Sequence, residues 1–177
     1  RAPGVLGTLL MGLALAAPGV AHAQAGVTDL TGRALALLDA GAPATVLLFT
    51  AVDCPISDRY APAVRRLAER YGAGGVRFWL VYPNEGEMPA AAKAHAAAFS
   101  YGLPVALDTA RLLADRAAAT VTPEAAVFDR AGRLRYHGRI DDRYTDFGVD
   151  RPVPTTHDLA EALAAVLDGR PVARPEA

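Results

Sequence analysis

Residues 44–50 are a continuous apolar run in which Val46, Leu47, Leu48 and Phe49 follow one another without polar alternation, the pattern of a strand buried on both faces. A few residues later the period changes. From Pro55 onward Tyr60, Val64 and Leu67 recur at helical intervals beside the charged Arg65, Arg66, Glu69 and Arg70, so a helix is expected over 55–71, ended by Gly72, Gly74 and Gly75. A doubly buried strand that feeds a helix constrains the fold to layered α/β architecture.

The rest of the chain keeps the alternation. A second strand is read at 76–82, an Ala-rich helix at 89–100, a short strand at 105–107 and a helix near 110–118. After a sharp junction at Val121, Thr122 and Pro123, residues 125–128 and 134–137 form a hairpin across the turn 129–132, and a closing helix runs over 156–167. These elements predict one domain with a central mixed sheet flanked by helices. Sites in such sheets form outside the carboxyl ends of parallel strands, which is where Cys54 stands.

Cys54 is the sole cysteine of the 177 residues. A thiol at a helix N-terminus faces unpaired backbone N–H groups and the positive end of the helix dipole, and both favour the thiolate, the species that attacks disulfides and peroxides. The alternative is a buried cysteine packed as a small hydrophobe. One thiol forms no internal disulfide, so the fold rests on its core.

The net charge of -1 gives no electrostatic case for nucleic acid as a partner. Residues 1–25 read as a signal peptide: Arg1, an apolar stretch over 5–17, Pro18 and Gly19, then small residues that place cleavage near Ala23 or Ala25. The expected destination is periplasmic or secreted, without stable membrane association after cleavage. The domain then spans 26–169, and 170–177 reads as a frayed tail.

Four features carry a family resemblance over residues 26–169: the exit of Phe49, Thr50 and Ala51 before Cys54; Pro62 eight residues after that cysteine; Thr122-Pro123 before a strand; and the hairpin turn from Asp129 to Arg133. They resemble the thioredoxin-like superfamily, in particular exported redoxins grouped with AhpC/TSA and TlpA-like proteins. The resemblance implies a thioredoxin-like fold with a redoxin-type strand–helix insertion and a C-terminal hairpin plus helix. It also implies that Pro62 kinks the active-site helix and that Pro123 is a cis-proline packed against the thiol. Thr122, Pro123 and Pro55 would shape a groove for an extended substrate chain.

The site departs from the family's dithiol members. Ser57 stands where they carry a second cysteine, Leu48 where thioredoxins bury a proton-shuttling carboxylate, and Asp53 where they have tryptophan. Cys54 and Ser57 therefore form a monothiol site. Asp53 opposes the thiolate by like charge, while Ser57 either hydrogen-bonds the sulfur or satisfies first-turn backbone groups. The match to peroxiredoxins is partial: Thr50 lies four residues before the cysteine instead of three, and Leu47 fills the place of their upstream proline. Arg139 is read either as an exposed hairpin arginine or as the counterpart of their peroxide-polarising arginine.

The implied activity is thiol–disulfide exchange in which Cys54 attacks protein or small-molecule disulfides and an external thiol reductant resolves the adduct. The alternatives are a one-cysteine thiol peroxidase and a non-catalytic binding module of the same fold. No cofactor is expected. His95, His137 and His157 show no metal spacing with Cys54, and Asp58 stands where copper-delivery relatives carry a second cysteine. Residues 139–144 read either as local ion pairs in a solvated loop or as a grip on a partner, and Thr155 or Thr156 as the cap of the last helix.

Overall fold

The computed structural model describes residues 26–38, 41–146 and 149–177. The signal-peptide reading of 1–25 falls outside them. Among the described residues no helix is long and apolar enough to cross a membrane.

Five strands form one sheet: β1 (Ala44–Phe49), β2 (Arg77–Tyr82), β3 (Val105–Leu107), β4 (Glu124–Asp129) and β5 (Leu134–Gly138), in the order β3-β2-β1-β4-β5. β1, β2 and β3 are mutually parallel, and β4 is antiparallel to both β1 and β5. The sheet is therefore mixed, as its sequence predicts.

The period of two along β1 divides the core. Val46 and Leu48 pack with Tyr60 and Val64 of helix α1 (Pro55–Gly72) and with Leu159 and Leu163 of helix α4 (Asp158–Leu167). Leu47 and Phe49 face the opposite layer, made by helix α3 (Leu112–Arg116) through Leu113 and Ala114, and by the N-terminal Val27 and Leu37. All six residues of β1 are buried, which explains the unbroken apolar run. Helix α2 (Pro89–Ala98) contributes Ala92 to the first of these layers.

Both sheet edges are covered. Thr28 exchanges backbone hydrogen bonds with Leu107 beside β3, at 3.0 and 2.8 Å. At the other edge the C-terminal residues lie parallel to β5: His137 N–H donates to the Pro175 carbonyl (3.0 Å) and Arg139 N–H to the Ala177 carbonyl (3.1 Å). The frayed-tail reading of 170–177 is thus corrected, because an unpaired edge offers these residues backbone partners. Gly138 permits the approach. Its φ is +142°, and a Cβ there would collide with the backbone of Ala177.

Three further expectations change. α4 starts at Asp158, after an N-cap at His157 that supplies no side-chain cap. The Thr155 hydroxyl donates to Asp142 and the Thr156 hydroxyl to Asp158 instead. α3 is shorter than read, and its first N–H groups, from Leu113 and Ala114, donate to the buried Asp108 carboxylate at 2.9 Å each. Residues 140–142 are buried, not solvated. Asp141 accepts from the Tyr60 hydroxyl (2.6 Å), and Asp142 accepts from Thr155 N–H, Thr156 N–H and Arg151. Beyond them lies a small ribbon that the sequence reading did not contain, β6 (Tyr144–Asp146) with β7 (Val149–Asp150).

Candidate active site around Cys54

The pairing of β1 with β4 builds the site. In this antiparallel pair Phe49 is opposite Glu124, so the chain leaving β1 and the chain entering β4 meet at the same end of the sheet. The first leads to Cys54 and the second passes through Thr122 and Pro123. Residues 68 positions apart are thereby joined: the Cys54 thiol donates to the Thr122 carbonyl at 3.3 Å. The peptide bond from Thr122 to Pro123 is cis, in accord with the resemblance.

Cys54 is the N-cap residue of α1, with extended backbone (φ -101°, ψ 96°), and Pro55 follows at the first helical position. The cysteine is partly exposed. Its own carbonyl accepts the N–H of Asp58 at 3.3 Å, the first turn of the helix. Pro62 lies inside α1 without ending it; the cost is the loss of one N–H donor to the preceding turn.

A cavity of about 540 Å³ opens in front of the sulfur. Cys54, Asp53, Pro55 and Thr122 line it, and so do Arg59 and Tyr144. Of the residues singled out from sequence, Cys54, Pro55, Thr122 and Asp53 are thus brought together, while Pro123, joined to Thr122 by the cis bond, does not line the cavity. Ser57 is buried, and its hydroxyl has no hydrogen-bond partner, neither the sulfur nor a backbone group. Arg139 lies at the same end of the sheet, one residue beyond β5, but its guanidinium is held by Asp158 (2.9 Å) and Thr156 (3.5 Å) and does not line the cavity. The guanidinium that does is that of Arg59, one helical turn beyond Pro55 and exposed.

Below the first turn of α1 lies a polar cluster that the sequence reading missed. His95 of α2 is buried and bonded at both ring nitrogens: Nδ1 to the Tyr82 hydroxyl at 2.7 Å and Nε2 to Asp58 Oδ1 at 2.8 Å. Burial holds the Tyr82 phenol well above its ordinary pKa, and its hydroxyl also donates to the Ala92 carbonyl at 3.3 Å. Tyr101 adds a hydrogen bond of 2.7 Å to the Ser57 carbonyl, and burial pushes its phenol up to about 12. The sequence signal for this cluster was slight, a single histidine in a run of alanines.

Glu124 fixes the facing loop. It is buried, and its carboxylate accepts the N–H groups of Thr120 (2.9 Å) and Val121 (3.3 Å) and contacts His137 Nδ1 at 3.3 Å. These bonds set the segment whose next residue presents its carbonyl to the thiol. Among the described residues no group of three or more His, Cys, Asp or Glu side chains could hold a metal ion.

Comparison with known proteins agrees with this architecture. An uncharacterised conserved protein from Geobacillus kaustophilus superposes with a TM-score of 0.71 at 28% identity, covering 85% of this chain and 82% of its own. A hypothetical protein from Sinorhizobium meliloti 1021 gives 0.69 at 28% identity, with 85% and 86% covered. A secreted disulfide oxidoreductase from Mycobacterium tuberculosis shares the fold at a TM-score of 0.52 and 16% identity, with 81% and 93% covered. No curated protein matches the chain in sequence. The AhpC/TSA family profile matches residues 18–137, most of the sheet and both faces of the Cys54 site, and the chain belongs to the AhpC/TSA family, with a thioredoxin-like fold.

Proposed function

We propose that this protein is an exported thiol–disulfide oxidoreductase that works with one cysteine. The observation that carries the reading is the placement of Cys54: a partly exposed sulfur at the N-terminus of α1, set against the Thr122 carbonyl and opening on a cavity. The apolar leader over 1–25 supports export to an oxidising compartment.

The chemistry follows from there being one thiol. The Cys54 thiolate attacks a disulfide, forms a mixed disulfide with one half and releases the other as a thiolate that takes a proton from water. Ser57 supplies no second sulfur, so an external thiol attacks the mixed disulfide, restores Cys54 and departs as the new disulfide. Pro55, Thr122 and Pro123 shape the groove that holds the substrate, and Asp53, Asp150 and Arg59 set the charge at its rim.

The test is mass spectrometry of the mature protein after exposure to glutathione disulfide or to hydrogen peroxide, between about pH 6 and 9. A glutathione adduct on Cys54 that is absent from Cys54→Ser and reversed by free thiol is the expected result. Faster conversion to a sulfenic acid by peroxide would replace this reading with a thiol peroxidase. Inertness to both would leave a binding module.

A further inference from the structure

A second cavity, of about 510 Å³, lies between α1, the buried segment after β5 and the start of α4. Its lining differs in kind from that of the cysteine site. Arg66 and Arg70 come from one face of α1, Arg143 from the loop before β6, and His157 from the N-cap of α4. Leu67, Ile140 and Pro154 supply apolar surface between them.

The charges around this cavity are unbalanced. Among the described residues no carboxylate pairs with the guanidinium of Arg66, Arg70 or Arg143, and the Arg143 Nε is buried without a hydrogen-bond partner. Asp141 is the single acidic residue of the lining, and its Oδ1 is occupied by the Tyr60 hydroxyl and the Arg143 N–H. Of the acidic groups in the first turn of α4, Asp158 is engaged by Arg139 and Arg174, while Glu161 is shared between Arg174 and the N–H of His157 (3.4 Å).

We infer that this cavity binds a compact organic phosphate carrying two or more negative charges. Three guanidinium forks reach it from two separate segments. A tetrahedral phosphate presents oxygens in several directions and can engage more than one fork, whereas a planar carboxylate satisfies one. The apolar stretch at Leu67, Ile140 and Pro154 accommodates the organic body, and the volume is that of a small-molecule site. None of these residues lines the Cys54 cavity, so the inference stands apart from the redox reading.

The experiment is titration of the full chain with sodium pyrophosphate, with citrate, and with sodium chloride at matched ionic strength, followed by calorimetry and by ¹H–¹⁵N shifts. The expected result is saturable pyrophosphate binding with shifts centred on residues 63–70, 140–143 and 157–160. Arg66→Ala with Arg70→Ala should weaken it about tenfold, a loss of about 1.4 kcal/mol. Arg143→Gln should weaken it independently, and the rate of Cys54 alkylation should stay at the wild-type value in both. Shifts reproduced by chloride alone, or unchanged affinity in both variants, would overturn the inference. Citrate binding as tightly as pyrophosphate would overturn its assignment to phosphate.

Discussion

His95 Nε2 lies 2.8 Å from Asp58 Oδ1, and this one bond ties α2 to the first turn of the helix that begins at Cys54. The sequence puts 37 positions between the two residues, and the chain crosses a strand to bring them together. A histidine bonded at both nitrogens by a phenol and a carboxylate is locked in orientation. The turn that begins at Cys54 rests on it.

His95→Phe should therefore cost more than packing. It leaves the Tyr82 hydroxyl and the Asp58 carboxylate without their shared partner, with an expected loss of about 2–4 kcal/mol in urea unfolding. Tyr82→Phe removes one hydroxyl from the end of the chain and should cost about 1 kcal/mol. Equal losses in the two variants would show that the ring acts through its volume alone.

Arg59 should select the charge of the disulfide. Its exposed guanidinium lines the cavity in front of Cys54, so Arg59→Glu is expected to slow reaction with anionic glutathione disulfide several-fold while leaving a neutral dialkyl disulfide nearly unaffected. The difference should shrink toward nothing at about 1 M salt, where charges are screened within about 3 Å. Stopped-flow rates for both disulfides across a salt series decide the matter.

Asp158 should make the fold sensitive to acid. Burial works to raise the pKa of this carboxyl, but the Arg139 and Thr156 hydrogen bonds, with the charges of Arg139 and Arg174, outweigh it and hold the group below its ordinary value. A folded-state pKa below the unfolded one contributes stability that is complete above about pH 4 and is lost as the pH falls through the folded value. Asp158→Asn should cost about 3 kcal/mol at neutral pH, because it strips two arginines of their buried partner, and the gap from wild type should close in acid. Urea melts across the pH range give the curve. Arg139→Ala should lose similar stability without slowing Cys54 alkylation in the native state, which separates a structural arginine from one that serves the thiol.

What sequence could and could not disclose follows from the range of the interactions. The strands of the sheet, the helix opening at Pro55 and the junction at Pro123 were legible because each depends on local periodicity or on proline. The sulfur's facing carbonyl was legible only through the resemblance. Tyr144 was not singled out because a segment distant in the chain gives it its place at the cavity, and Arg59 and Glu124, though close in sequence to Cys54 and to Thr120 and Val121, carry no motif that marks them. The run from Ile140 to Asp142 misled for a related reason. Two adjacent aspartates look solvated until the chain turns Tyr60 and the N–H groups of Thr155 and Thr156 toward them.

The backbone pairing of residues 175–177 beside β5 has a consequence for recognition. An outermost strand is where a foreign extended segment would add itself to a sheet, and at β5 that berth is already filled from within the same chain. Any guest seeking it must first evict residues 175–177 and break their backbone bonds to His137 and Arg139. Visitors with an extended backbone thus meet a competitor at this flank, already seated on the donors and acceptors they would need.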